Sequence, residues 1–264
     1  MENELLIRLS VFLGIFAILA AVEAWAPRRR RAQGRGRRWA TNWGIVVIDS
    51  LALRLIAIAL PLLAVGAAID AGNKGWGLFN VLDWPLWVEV ALAVLVLDLA
   101  IWAQHLVTHK VPVLWRLHQV HHADVDMDVT TAIRFHPIEI ALSMLLKIGL
   151  VYLLGPAALA VVIFEVMLNG MAMFNHANIN LPRRVDAVLR RVVVTPDMHR
   201  VHHSVDRAEH DSNYGFSLSV WDRMFGTYIA QPRDPHETME TGLAWRDERP
   251  SRLGWSLALP FRAK

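Results

Sequence analysis

Five long apolar runs, separated by short polar joints, constrain this chain more than any other feature. A helix of about 20 apolar residues crosses the hydrocarbon of a bilayer at 1.5 Å per residue, with its backbone polar groups satisfied inside the segment. The first run, residues 5–26, is interrupted only by Arg8 and Glu23 near its ends. Residues 45–68 form the second, which carries Asp49 and Arg54, and residues 84–107 the third. Residues 138–154 and 157–174, parted by Gly155 and Pro156, read as a tight helical hairpin, either spanning or partly inserted. The expected fold is an all-α integral membrane protein with four to five membrane helices and a cytoplasmic, histidine-rich helical cap. Composition agrees: 19% of residues are charged, against roughly a quarter in soluble proteins, and mean hydropathy is +0.33. That balance excludes a disordered chain and makes nucleic acid an unexpected partner.

Orientation follows from the basic residues. Pro27 is followed by Arg28, Arg29, Arg30, Arg31, Arg35, Arg37 and Arg38. They come after the first apolar run, the reverse of a signal peptide, and mark the cytoplasmic side. The block reads as solvated and anchored at anionic lipid, with docking of an acidic electron donor as a second role. Trp39 and Trp43 fall where an interfacial belt is expected. Asp49 and Arg54 are expected to pair, to snorkel or to line a cavity. An outer loop at 72–83 leads to the third span, which returns to the cytoplasm, and the hairpin brings His176 back to that side. Residues 178–264 then form the cap, with helices expected at 183–193 and 198–204 and loops from Pro232 onward. The division expected is 1–83, membrane helices and Arg-rich loop; 84–230, catalytic domain; and 231–264, tail. Ala- and Arg-rich composition points to a bacterial inner membrane.

The chain has twelve histidines and no cysteine, which excludes disulfides, cysteine-ligated clusters and thiolate chemistry. His105 and His109 are spaced H-x3-H, His118, His121 and His122 form H-x2-HH, and His199, His202 and His203 repeat that pattern, with His176 standing alone. Residues three and four apart share a helix face, so His118 can share an ion with either His121 or His122. Those adjacent imidazoles, about 100° apart on a helix, can serve two different ions. Nine imidazoles exceed the four ligands of a tetrahedral zinc, and a pair of ions with four or five ligands each fits better. His210 and His236 have no partner at helical spacing and read as ordinary residues. His136, before Pro137, is open to three roles: touching the pocket, donating a hydrogen bond, or capping the hairpin. Imidazole suits zinc, copper, iron and nickel alike. Unactivated C–H bonds of acyl chains call for a redox metal and dioxygen, which favours iron.

Helix geometry nominates supporting residues. Asp98 lies seven residues before His105 on the same face, where its carboxylate would orient an imidazole N–H. Glu165, Asn169 and His176 share one stripe of the last membrane helix. For both acids a buried ion pair is the competing role. Asp222 and Arg223 are expected to form a structural salt bridge, and Met167, Met171 and Met173 to pack or to line a lipid tunnel.

The strings LWRLHQVHHAD at 114–124, RFHPIE at 134–139, FNHAN at 174–178, and DMHRVHHS followed by NYGFSLSVWDRMFGTY within 197–228 resemble the fatty acid hydroxylase and sterol desaturase superfamily. The resemblance covers about residues 90–230. It implies a membrane-integral, all-histidine, non-haem di-iron oxygenase that hydroxylates or desaturates a membrane lipid with dioxygen and external electrons. The family's ligand positions carry over to His105, His109, His118, His121, His122, His176, His199, His202 and His203. Some relatives have a second histidine near the position of His176, where this chain offers Asn178 and Asn180 as possible tenth ligands. With no cysteine cluster, Rossmann fingerprint or attached cytochrome-like domain, electrons are expected from a ferredoxin- or cytochrome-type donor with its reductase. Two other readings stand beside this one, a zinc-dependent membrane lipid hydrolase and a non-catalytic metal-handling membrane protein. A haem-carrying quinol oxidoreductase subunit would instead place isolated axial histidines within its spans.

Overall fold

The computed structural model describes residues 4–59, 63–82 and 84–262. Residues 60–62 of the expected second span, Asp83 of the outer loop, and the extreme ends of the 1–83 and 231–264 segments lie outside the described residues. The membrane-side helices are α1 (Glu4–Trp25), α2 (Arg35–Ala59), α3 (Ala64–Lys74), α4 (Leu78–Val81), α5 (Leu86–Lys110), α6 (Pro112–His122), α7 (Pro137–Leu154) and α8 (Ala158–His176). The cap adds α9 (Arg183–Leu189), α10 (Pro196–His202), α11 (Arg207–His210), α12 (Val220–Met224) and α13 (Leu253–Ala258). Among the described residues there is no strand, only isolated bridges such as Pro27 with Ile179. Five helices, α1, α2, α5, α7 and α8, are long and apolar enough to span a membrane, and the protein is membrane-integral.

Prolines and glycines set the helix limits. Pro112, Pro137 and Pro196 each occupy a first-turn position, where the missing N–H has no helical partner to lose. At the other end of α7, Gly155 adopts φ 63° and its N–H returns to Val151, a left-handed stop that glycine takes without strain. Gly77 packs so closely here that a Cβ would lie 2.3 Å from the Gly155 nitrogen. The core below the cap is the α5–α8 seam, where Ala93, Leu97 and Ile101 meet Ala160, Phe164 and Ala172.

The second apolar segment departs from expectation. Its helix begins at Arg35 rather than at residue 45, and residues 64–68 belong to α3, whose buried face is alanine. Trp39 and Trp43 sit on α2 against Phe16 of α1, at centroid distances of 5.6 and 5.1 Å, and stay partly exposed. The arginine run is not simply solvated. Arg38 is 1% exposed; it donates two bonds to Asp124, at 2.7 and 2.9 Å, and one to Asp128 at 2.9 Å. The acidic stretch after His122 and the arginine run are thus two halves of one buried network. Asn42 extends it by donating to Thr130 and accepting from Arg134. Glu23, fully buried at the end of α1, accepts the backbone N–H groups of Val129 and Asn178, both at 2.7 Å. Asp49 faces the bundle interior and Arg54 is exposed; among the described residues no ion pair joins them.

Candidate metal centre

The membrane helices bring their cap-side ends together, and the histidines lie there. His105 and His109 come from the last turns of α5, His118, His121 and His122 from α6, His176 from the end of α8, and His199, His202 and His203 from α10 and its cap. All nine are buried, none more than 4% exposed. Their ring nitrogens converge on two places. His105, His109, His118, His122 and His202 form one group, and His121, His176, His199 and His203 the other, with one nitrogen of each lying within 4.8 Å of all the rest in its group.

Each H-x2-HH box divides between the two places. On α6 the i,i+4 pair His118 and His122 joins the five-membered group while His121 turns to the other. On α10 the division is inverted, with His199 and His203 in the four-membered group and His202 in the five. Adjacent residues on a helix point about 100° apart, and this puts them on opposite sides of the box.

The ring nitrogens themselves argue for cations. His105 donates its Nδ1–H to the Tyr214 carbonyl at 2.7 Å and His118 its Nδ1–H to Glu139 at 2.6 Å. A neutral imidazole carries one N–H, so the Nε2 of each is then a bare lone pair. Those two nitrogens face each other at 3.0 Å, where neither has a proton to share. His176 donates through Nδ1 to Ala172, and its Nε2 lies 3.1 Å from both His121 and His199. His109, His122 and His203 have both ring nitrogens buried without a hydrogen-bond partner. Buried polar atoms left in this state are costly; a metal ion in each group would take up the lone pairs, and the donor set fits one. Burial, reinforced by neighbouring imidazoles, holds His121, His122, His199, His202 and His203 well below the usual imidazole pKa. They are the neutral rings that metals require.

Backbone carbonyls orient several rings, and this was invisible in the sequence. Ser212 accepts from His202 at 2.6 Å and Tyr214 from His105 at 2.7 Å; between them Asn213 sits at φ 50°. Asp222 tethers this loop through the N–H groups of Tyr214 and Gly215, at 2.8 and 2.9 Å. A side chain on Gly215 would strike the Leu218 carbonyl and Asp222 at 2.8 and 2.9 Å. Asp222 forms no ion pair with Arg223, which instead lies over the Tyr228 ring, 3.8 Å from its centroid.

The remaining nominated residues are elsewhere. Asp98 accepts from Trp221 Nε1 at 2.8 Å and from the Leu218 N–H at 3.2 Å, and the imidazole contact expected of it is not made. The carboxylate hydrogen-bonded to one of the nine imidazoles, among the described residues, is Glu139 of the RFHPIE string, which spacing from a histidine box does not reveal. Glu165 is held by Arg8 and by Lys147, the latter at 3.0 Å, the buried-pairing role. His136 caps α7 by accepting from Ile138 and reaches the Leu257 carbonyl at 3.2 Å. Asn178 exchanges bonds with the Arg29 backbone, and Asn180 is exposed beside a polar cleft of about 950 Å³ that none of the nine histidines line. His210 stacks on Trp115 at 5.3 Å and comes within reach of His109 and Asp211.

A second cavity, about 280 Å³, opens beneath the five-membered group and is lined by His105, His118, Phe135, Phe216 and apolar side chains of α2, α5, α7 and α8. Spanning helices capped by two buried histidine clusters that fit metal ions define a membrane-integral polyhistidine enzyme scaffold. A fatty acid hydroxylase family model matches residues 90–227, more than half of the chain, and the chain belongs to that family. It is 26% identical over 226 residues to ornithine lipid hydroxylase OlsE of Rhizobium tropici, covering 84% of this chain and 67% of that protein. Alkylglycerol monooxygenases are also similar: 32% identity over 148 residues for Xenopus tropicalis, 56% of this chain, and 30% over 161 residues for Homo sapiens, 60% of this chain. The chain spans 31% and 34% of the length of those two proteins. No solved structure matches the chain.

Proposed function

We propose that this protein is a di-iron oxygenase that hydroxylates a membrane lipid, with nine histidines as ligands in sets of five and four. The observation that carries the reading is the division of the nine into two groups, in one of which the facing Nε2 atoms of His105 and His118 have no proton to share. Family membership and relatives named as lipid hydroxylase and monooxygenase support the reaction class. Iron bound there supplies the reduction of dioxygen and the oxidant for an unactivated C–H bond. Overall the lipid gains one oxygen atom and the second leaves as water, consuming two electrons and two protons.

The chain's own residues position the reaction. His105 and His118 line the cavity, so the five-membered group faces the substrate, while His121, His176, His199 and His203 lie behind it. Phe135, stacked on His121 at 4.3 Å, and Phe216, 4.8 Å from His105, give that wall an apolar surface that excludes water. Ser212, Tyr214 and Glu139 hold the rings at fixed orientations, which limits reorganisation during turnover.

The arginine segment and the histidines share one face of the bundle: Arg38 meets Asp124, and the Arg28 backbone meets Asn178. Because Lys and Arg accumulate on the cytoplasmic side of short loops, this supports a cytoplasmic active site, in a bacterial inner membrane. Electrons then come from an external ferredoxin- or cytochrome-type donor with its reductase. Segment 84–230 carries the ligands, with 1–83 and 231–264 bracing it.

The test is metal analysis and isotope labelling on detergent-purified protein produced with iron. About two irons per chain and incorporation of one atom from ¹⁸O₂ into lipid are expected. Stoichiometric zinc under those conditions, or activity that persists without oxygen, would overturn the assignment in favour of a hydrolase or a metal-handling protein.

A further inference from the structure

The cavity beneath the five-membered group is lined by apolar side chains, by the neutral polar residues Ser50, Gln104, Thr108, Ser143 and Asn169, and by Lys147, and it holds two carboxylates. Asp49 of α2 and Glu139 of α7 both line it, 8% and 6% exposed. Glu139 uses Oε1 to hold His118, and its Oε2 has no hydrogen-bond partner; Asp49 Oδ1 has none either. The cation that also lines this space, Lys147, is 3.0 Å from Glu165 and committed there. Two buried carboxylate oxygens without donors, beside two imidazoles of the metal centre, form a receptor waiting for hydrogen-bond donors.

A second space adjoins the cavity through a shared wall. A groove of about 520 Å³ between α5 and α7, lined by Val107, Leu142, Leu146 and Leu150, shares Gln104, Thr108, Glu139 and Ser143 with the cavity. Ser143 donates to Gln104 at 3.1 Å across the junction. The groove's leucines and valine suit an alkyl chain, and the cavity suits a small polar group.

We propose that Asp49 and Glu139 bind a hydrogen-bond-donating head group, a protonated amine or a hydroxyl, and that the lipid's chain leaves through the α5–α7 groove. This rests on the lipid-hydroxylase reading and deepens it by naming the substrate class. The carbon next to the head group is thereby held beside His105 and His118. The two carboxylates also select against anions: a free fatty acid would bring a third carboxylate to the same buried place.

The experiment measures anaerobic equilibrium binding of four C16 probes to the metal-loaded full chain in nanodiscs: hexadecylamine, hexadecanol, palmitate and hexadecane. The expected result is at least tenfold tighter binding of the amine, the alcohol or both than of palmitate or hexadecane. Asp49→Asn should cut any preference for the amine at least tenfold and raise palmitate binding. An advantage for the amine alone identifies an ammonium receptor, and an equal advantage for the alcohol a hydroxyl receptor.

Equal binding of all four probes overturns the proposal, and the wild-type ranking needs no variant to be read. An unchanged binding ranking in Asp49→Asn also overturns it. Because binding is measured without oxygen or turnover, failure of the oxygenase reading leaves this ranking standing, and the two outcomes remain separable.

Discussion

Trp102 donates its indole N–H to Asp222 at 3.0 Å. Four residues earlier on the same helix, Asp98 accepts the indole N–H of Trp221. Each element thus contributes one tryptophan and one aspartate to a crossed pair. The pair ties α5, which carries His105 and His109, to the loop whose carbonyls orient His105 and His202.

Removing that tie is expected to release two ligands of one group. Asp222 accepts from Trp102, Tyr214, Gly215 and Thr227. Asp222→Ala strands those donors and should cost about 3 kcal/mol or more. Thermal denaturation should show a lowered Tm, and metal analysis should show preferential loss from the five-membered group. An unchanged Tm with full metal content would contradict the anchoring role.

The division of the boxes makes a sharper prediction. His202→Ala removes a ligand only from the five-membered group, and His199→Ala only from the four. Each variant should retain about one metal per chain, with different spectra for the ion that remains. Identical residual spectra would show that the groups do not act separately.

Glu139→Gln keeps a hydrogen-bond acceptor at His118 but removes the charge. Carboxylate partners of ligating imidazoles are worth roughly 10–100-fold in metal affinity, and a loss of that size is expected in a chelator competition. An unaltered affinity would confine Glu139 to the head-group site.

Arg38→Met removes the buried cation that Asp124 and Asp128 share, leaving Asp128 with only the more distant Arg31 at 4.0 Å. Breaking a buried pair in this way costs about 3–5 kcal/mol, so the yield of folded protein should collapse. Arg38→Lys should not restore it, because one ammonium cannot reproduce the forked contacts with Asp124 and Asp128. Detergent-solubilised yield and Tm of the two variants decide the point.

Acid should destabilise the metal-free protein. His121, His122, His199, His202 and His203 have pKa values well below the ordinary 6.5 when folded. The unfolded chain therefore binds more protons below about pH 6.5. Their contribution is fully present above that value and is lost as pH falls toward the folded-state pKa values. The apo-protein Tm should drop steeply between pH 7 and 5. A flat profile would mean that these rings are not buried as neutral groups.

Much of the histidine cluster could be read directly. H-x3-H and H-x2-HH place imidazoles on helix faces, and apolar runs of about 20 residues declare spans, because both signals depend only on near neighbours. The same logic misled at Asp98. A spacing of seven puts it on the face of His105, but the donor it meets, Trp221, lies on an element that local periodicity cannot place. The arginine run misled similarly: charge predicts solvation, while Arg38 finds two aspartates more than eighty residues away.

Hydropathy and helical repeat are properties of consecutive residues, so the all-helical, membrane-integral class and the nine histidines were already written in the chain. Which histidine serves which group, which carboxylate supports a ring, and which oxygens are left facing a cavity depend on how distant helices dock. Three of the ring acceptors are the backbone carbonyls of Ala172, Ser212 and Tyr214. A carbonyl is the same group in every residue, so its role arises only when tertiary packing turns it toward an imidazole.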